Sequence, residues 1–376
     1  MPKTGSTSIQ ETLFFDLDDP RFLYVSAGDL NAARAVGVLC ADTGPPRHLF
    51  GAIQDDPDLV DRLRRSYSRR LARGLRTARE RGRQPVISAE DCWRMSEREF
   101  RKMQSLVGRE GFEIRVVGYL RPWKEWIQSN FQQRCQGETI YGRKPWAFGF
   151  APTSLNQIDY RERIETLERV FGRENVLVRK FEPRGFPGGD VVRDFCHRVG
   201  ISIAESRTRR TNDSLSLDAT KFLVAYGRFG NREPDAGRRC ALQHGWLVRR
   251  LQELPGPPLR LHSSLVEPTL APVLPQLDWL EERLGASMRE ELGAHDDAHD
   301  TIRSDEDLLR FSGESLRWLA RLTGGGSIAG TSGEETAREV GERVHRLRHS
   351  FPGAAILGRS ARALAERSWT RWTRGV

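Results

Sequence analysis

The first eight residues, MPKTGSTS, combine one lysine with a glycine and four hydroxyl side chains. Lys3 carries a full positive charge, and Gly5 allows the backbone to curl close to a bound anion. Apolar residues at helical spacing predict a helix over residues 7–17, whose first N–H groups and dipole would point at the same anion. The hydroxyls that follow Gly5 add further donors. This combination is typical of a site for a phosphate or phosphosulfate group.

The loop differs from the nucleotide-triphosphatase loop GxxxxGK[ST], because the dipeptide GK occurs nowhere in the chain. There is no hydroxyl after a loop lysine to hold Mg²⁺, so ATP hydrolysis is disfavoured. A phosphotransferase that uses ATP nevertheless stays open as an alternative. Another alternative is a Ser- and Thr-rich helix cap with no chemical role.

A second anion-binding pattern follows the strand predicted at residues 112–120, in the stretch RPWKEWIQS. Arg121 stands at the carboxyl end of that strand, and Ser129 lies eight residues later in the next predicted helix. Ligands of doubly wound sheets bind outside the carboxyl ends of the strands. The guanidinium of Arg121 and the hydroxyl of Ser129 therefore predict a second phosphate site. Two such sites imply a ligand with two separated anionic groups.

Together, PKTGSTS and RPWKEWIQS resemble the two nucleotide-binding motifs of sulfotransferases that use 3′-phosphoadenosine 5′-phosphosulfate (PAPS). The stretches LVRKFEPRGFPGGDVVRDFCHRVGI and NDSLSLDATKFL are similar to the bacterial, carbohydrate-type branch of that family. The resemblance covers about residues 1–226. It implies a P-loop-like fold, PAPS as the sulfuryl donor, and no metal. The implied cofactor-binding residues are Lys3, Thr4, Gly5, Ser6, Thr7, Ser8, Arg121 and Ser129.

The resemblance also implies individual roles for these residues. Lys3 would contact the 5′-phosphate and the bridging oxygen, and the residues from Gly5 to Ser8 would hold the sulfuryl end. Arg121 and Ser129 would hold the 3′-phosphate. The implied reaction is in-line transfer of the sulfuryl group to a hydroxyl or amine of a carbohydrate or glycolipid. Because charge builds on the bridging oxygen, electrostatic stabilisation by Lys3 would be part of catalysis.

A general base is needed for the acceptor proton. Glu90, in VISAEDCW, follows a short predicted strand and lies between the two anion motifs in the sequence. Members of the resembling family commonly place a His or Glu after this strand, which favours Glu90. Asp91 and His48 stay open as alternative bases, and a helix cap is the structural alternative for Glu90. Trp93, Trp123 and Trp126 either stack on an acceptor sugar or pack in the core.

Strands alternate with helices as far as about residue 200, which predicts an α/β fold with a doubly wound parallel sheet. Helical patterns dominate the C-terminal half. We predict a sulfotransferase-like domain over residues 1–323, a Gly/Ser-rich linker over 324–335, and a basic helical segment over 336–376. The last segment contains Trp369 and Trp372 among arginines, a pattern that suits peripheral membrane contact or packing on the body.

The loop at Lys3 has no strand before it, although such loops normally follow a central strand buried on both faces. We therefore expect the first strand of the sheet to be missing, with the true start upstream of Met1. A loop on a fraying terminus is poorly preorganised. A truncated or inactive family member that binds only the desulfated product, 3′-phosphoadenosine 5′-phosphate (PAP), is thus an alternative function.

Bulk composition narrows the class of protein. The 376 residues are 38% apolar and 30% charged, and no apolar run approaches the length of a membrane span. Five cysteines without a CxxC pair argue for a reducing compartment, and we expect a cytoplasmic protein. The net charge of +9 suits anionic partners, but the arginines are spread along the chain and no nucleic-acid motif is present. The expected partner is a carbohydrate or glycolipid acceptor, not nucleic acid.

Overall fold

The computed structural model describes residues 3–42, 44, 55–138, 159–209, 214–230 and 238–351. Its α-helices are α1 (Ser6–Asp16), α2 (Ala33–Cys40), α3 (Pro57–Glu80), α4 (Glu97–Gly108), α5 (Trp123–Glu138), α6 (Tyr160–Phe171), α7 (Val191–Val199), α8 (Leu217–Ala225), α9 (Arg238–Gln252), α10 (Ser263–Leu270), α11 (Leu277–Leu284), α12 (Gly313–Thr323) and α13 (Glu334–His349). Its strands are β1 (Phe22–Tyr24), β2 (Gln84–Val86), β3 (Val116–Leu120), β4 (Val176–Lys180), β5 (Arg260–Leu261) and β6 (Thr301–Ile302).

The strands of the described chain form three parallel pairs, β1 with β2, β3 with β4, and β5 with β6. The protein is therefore a helix-rich α/β structure with parallel strands. Over the described residues, no backbone ladder joins these pairs into the continuous doubly wound sheet that the sequence predicts. The central strand expected ahead of the loop would lie upstream of Met1 and thus outside the described residues.

Helix α1 connects the two larger strand pairs through its apolar face. Ile9 and Leu13 belong to a buried cluster that includes Phe22 of β1, Tyr119 of β3 and Val191 of α7. Burial of these apolar side chains against three neighbouring elements holds α1 in place. As a result, the N-terminal end of α1 is held beside the carboxyl ends of both β2 and β3.

The C-terminal helices pack into the largest core of the protein. Helix α8 continues into a π-helical turn at Tyr226–Gly230, and α13 packs against both. Gly341 makes this approach possible, because a Cβ at that position would lie 2.6 Å from the carbonyl oxygen of Ala225. The stretch before α13 is tied back by a hydrogen bond from the Phe311 N–H to the Thr331 carbonyl oxygen, at 2.7 Å. Residues 352–376, with Trp369 and Trp372, lie outside the described residues.

None of the helices in the described segments combines the length and the apolar character needed to cross a bilayer.

Candidate functional site

The loop before α1 has an unusual backbone conformation. Lys3 has a φ of 66° and Gly5 has a φ of 76°, both in the left-handed region. Few non-glycine residues adopt this region, and such residues concentrate at functional sites. The first intrahelical bond runs from the Ile9 N–H to the Gly5 oxygen, so the amides of Ser6 and Thr7 precede it and lie at the open end of the helix. The predicted anion loop is therefore a helix N-terminus with Lys3 beside it.

Gly5 is required for two separate reasons. Its positive φ is strained for any residue with a Cβ, and a Cβ built there would lie 2.5 Å from Cγ1 of Val191 in α7. We expect Gly5→Ala to lower the free energy of unfolding by about 2 kcal/mol. Gly200→Ala is the matched control, because Gly200 has a φ of 81° with no atom within 4 Å of its Cβ position. Urea denaturation measures the free energy of unfolding of both variants. Equal losses in the two variants would contradict this account.

Arg121 connects the second anion motif to the first. Its Nη1 donates to the carbonyl oxygen of Lys3 at 3.1 Å, across 118 positions of sequence. Its Nε pairs with Glu125 at 3.2 Å, and its guanidinium lies over the Phe181 ring with 5.3 Å to the centroid. The side chain is 25% exposed, so it is anchored on three sides and still reaches solvent. A ligand at the N-terminus of α1 would therefore meet both cationic side chains.

The electrostatic surroundings of Lys3 bring three predicted residues together. Burial lowers the pKa of Lys3 below its ordinary value of 10.5, the nearby carboxylate of Glu90 raises it, and the charge of Arg121 lowers it further. Arg121 contacts the Lys3 backbone at 3.1 Å, and the Glu90 carboxylate lies near enough to the Lys3 ammonium group to affect its pKa. Lys3, Glu90 and Arg121 come from three distant parts of the sequence and meet at the N-terminus of α1.

Glu90 lies in the 3₁₀ turn Glu90–Arg94, just beyond β2. Its backbone N–H donates to Oδ1 of Asn31 at 3.3 Å, and the same oxygen accepts from the Ala33 N–H at 2.9 Å. Ser88 is also anchored, since its Oγ accepts from Nε2 of Gln10 at 3.1 Å. The turn that carries Glu90 is thus tied to both α1 and the start of α2. Sequence analysis missed Asn31 and Gln10, because neither belongs to a motif.

Glu290 is a further residue that sequence analysis missed. Its two carboxylate oxygens accept from the backbone N–H groups of Lys124 and Glu125, at 2.8 and 3.1 Å. These amides belong to the first turn of α5, so Glu290 caps that helix from 165 positions away. Burial raises the pKa of Glu290, while the two N–H bonds act in the opposite direction. Because Glu125 also pairs with Arg121, Glu290 supports the segment that positions the guanidinium.

The other residues predicted for the site are Ser129, His48 and Asp91. Ser129 is half-buried on α5, two turns beyond Arg121, and the described contacts do not link it to Lys3. His48 lies outside the described residues. The backbone of Asp91 belongs to the same turn as Glu90, and its side chain is not described.

Trp93, Trp123 and Trp126 pack in the core rather than at an acceptor surface. They are 7%, 2% and 1% exposed, and the Trp123 ring stacks on Tyr160 at 5.4 Å. Burial of large aromatic rings is the more common use of tryptophan.

Arg179 and Lys180, at the end of β4, have local partners. Nη1 of Arg179 pairs with the buried carboxylate of Asp194 at 3.4 Å, and Lys180 pairs with Glu182 at 3.2 Å. Asp194 also accepts from the Tyr119 hydroxyl at 2.7 Å, and burial with this bond raises the pKa of Tyr119. The end of β4 thus stabilises the fold, whereas the end of β3 supplies Arg121 to the site.

Within the described segments, no group of three or more His, Cys, Asp or Glu side chains has the arrangement of a metal site.

No family model matches the chain, and no solved structure matches it significantly. An uncharacterized protein of Archaeoglobus fulgidus is 24% identical over 110 residues, which is 29% of this chain and 29% of that protein. The matched region thus spans less than a third of that relative.

Proposed function

We propose that the protein is a PAPS-dependent sulfotransferase that transfers a sulfuryl group to a hydroxyl or amine of a carbohydrate or glycolipid. One observation carries the proposal: the ends of two parallel strand pairs and the N-terminus of α1 bring Lys3, Glu90 and Arg121 together. A nucleotide with phosphate groups at its 3′ and 5′ positions needs cationic side chains within reach of both, and the acceptor needs a base beside them. We also propose that the fold is a P-loop-like doubly wound sheet.

Each residue has a distinct task in this proposal. PAPS supplies a sulfuryl group on a good leaving phosphate. The N-terminus of α1 and Lys3 hold the phosphosulfate and stabilise charge on the bridging oxygen. Arg121 and Ser129 hold the 3′-phosphate and orient the nucleotide. Glu90 accepts the proton of the attacking hydroxyl, and its position beside Lys3 suits that step.

Calorimetry on the complete chain tests the proposal directly. We expect PAP to bind with micromolar affinity without added Mg²⁺, and ATP to bind more weakly. The donor PAPS should bind comparably to PAP. Equal or tighter binding of ATP would favour the phosphotransferase alternative, and no binding of any nucleotide would contradict a nucleotide site at Lys3.

A transfer assay distinguishes an enzyme from a protein that only binds the nucleotide. PAPS labelled in the sulfuryl group would be incubated with the protein and a panel of neutral and acidic oligosaccharides and glycolipids. Labelled acceptor indicates transfer. PAP binding without labelled product from any acceptor would favour the inactive alternative.

A further inference from the structure

One face of α3 carries a continuous row of arginines. The helix runs over Pro57–Glu80, and five of its exposed residues occur at spacings of three or four: Arg62, Arg65, Arg69, Arg73 and Arg76. At about 100° per residue these five fall within about 80° of the helix circumference, and at 1.5 Å per residue they extend over about 21 Å. We call these five residues the arginine row.

The arginine row faces away from the protein. The apolar side of the same helix is buried through residues that include Leu63, Tyr67, Leu71 and Leu75, and it packs against α2 and β2. The row lies on the opposite side of the circumference from these side chains. It therefore forms an outward ridge rather than the wall of a cleft.

The charge of the row is poorly compensated by its surroundings. Among the described residues no ion pair is found for any of the five, whereas the adjacent Arg64 pairs with Asp61 at 2.7 Å. The acidic residues of this helix stand only at the two ends of the row, with Asp58 and Asp61 before it and Glu80 after it. Like charges at three- and four-residue spacing repel one another along a helix, and a bound anionic surface would relieve that repulsion.

The chemistry of the ridge indicates the kind of partner. Guanidinium groups pair well with phosphate oxygens. None of the exposed large apolar side chains found in the described chain lies on α3, so the ridge has no anchor for insertion into hydrocarbon and no ring for stacking on bases. Clusters of four to eight basic residues on an amphipathic helix are typical of binding to anionic lipid headgroups. A flat headgroup layer can contact all five arginines of a straight outward ridge at once.

We propose that the arginine row docks the protein on anionic membrane surfaces through lipid phosphate and carboxylate groups. This inference is independent of the proposed sulfotransferase activity. It also revises the sequence-based view of the arginines as diffuse, because the fold gathers five of them on one face. Binding by charge alone is reversible and weakens as salt screens the interaction.

Vesicle co-sedimentation tests the docking surface. The complete chain should sediment with vesicles of phosphatidylcholine containing about 30 mol% phosphatidylserine, because the negative surface potential of such vesicles attracts clustered basic residues. It should not sediment with pure phosphatidylcholine vesicles, and raising the salt to about 0.5 M should release it. A triple variant, Arg65→Gln with Arg69→Gln and Arg73→Gln, should bind on the order of a hundredfold more weakly, at roughly fivefold per arginine.

A second triple variant controls for net charge. Arg109→Gln, Arg173→Gln and Arg184→Gln remove the same charge from exposed sites on separate elements. We expect this control to lose less than fivefold in vesicle affinity, and both triple variants to keep the wild-type melting temperature. Equal losses in the two triple variants would overturn the proposal. It would also be overturned if heparin or single-stranded RNA bound through the arginine row while anionic vesicles did not.

Discussion

Replacement of Arg121 by alanine is expected to weaken PAP binding about a hundredfold, equivalent to about 2.7 kcal/mol. Two effects combine in this loss. The variant removes a charged, forked donor from the proposed 3′-phosphate site, and charge-assisted bonds of this kind are among the strongest in proteins. It also frees the carbonyl of Lys3, which Nη1 of Arg121 holds at 3.1 Å. The loop at Lys3 would then lose the contact that fixes it against β3.

Arg179→Ala provides a closely matched control. β3 and β4 are hydrogen-bonded neighbours, and Arg121 and Arg179 lie at their carboxyl ends with side-chain exposures of 25% and 30%. Arg179 pairs with Asp194 instead of approaching Lys3. We therefore expect Arg179→Ala to change stability but to keep PAP affinity within about threefold, since it leaves the nucleotide contacts intact.

Arg121→Lys distinguishes charge from shape. Lysine keeps the positive charge but loses the planar fork, so an intermediate loss of PAP affinity is expected. Calorimetry gives the affinities, and circular dichroism with a melting curve checks that each variant is folded. An unchanged affinity in Arg121→Ala would place the 3′-phosphate elsewhere. Equal losses of PAP affinity in the Arg121 and Arg179 alanine variants would show that both arginines act only by general electrostatic attraction.

Local sequence signals predicted the individual elements of this site well. The predicted helix after Gly5 is α1, and Ser96 and Glu99, which have the spacing of a capping box, form that box at the start of α4. The strand ending at Leu120 places Arg121 at its carboxyl end, as expected. Such signals are readable because caps, glycine turns and apolar periodicity act over a few residues. The parallel pairing of β3 with β4 also agrees with the alternating pattern of strands and helices.

Long-range contacts were not predictable from the same signals. Glu290 caps α5 across 165 positions, and Asn31 holds the Glu90 turn across 59. Neither residue belongs to a motif, because a carboxylate or amide acts on a distant N–H only after tertiary packing has brought them together. The very short strand β1 was missed for a related reason: three residues carry too little periodicity to identify a strand. The arginine row was hidden because helical geometry, not sequence order, aligns its members.

Replacement of Glu90 by glutamine is expected to lower the rate of sulfuryl transfer about 1000-fold while PAP affinity stays within about threefold of wild type. Glutamine keeps the size of the side chain and the backbone bond to Asn31, but it cannot accept the acceptor proton. Parallel measurement of Asp91→Asn and His48→Ala addresses the other two candidate bases. If turnover is unchanged in Glu90→Gln but falls strongly in Asp91→Asn or His48→Ala, the residue replaced in that variant is the general base.

The pH dependence separates a base from a simple counter-ion of Lys3. If Glu90 is the base, the wild-type rate rises with pH as its carboxyl ionises, and this acid limb disappears in Glu90→Gln. Lys3 governs the fall of the rate at high pH, the alkaline limb, because it must be protonated to stabilise the bridging oxygen. Burial already lowers its pKa below 10.5, and the charge of Glu90 partly restores it. Removing that charge lowers the pKa of Lys3 further, so the alkaline limb of Glu90→Gln should move to lower pH.

The two limbs together decide the role of Glu90. Loss of the acid limb with a displaced alkaline limb is the result expected for a base that also neighbours Lys3. A displaced alkaline limb with an intact acid limb and a nearly normal maximal rate would show that Glu90 acts only on the charge of Lys3. Because Lys3 and Glu90 influence each other through space, Lys3→Arg offers an independent check. Arginine stays protonated throughout the range, so the alkaline limb of that variant should disappear while its acid limb remains.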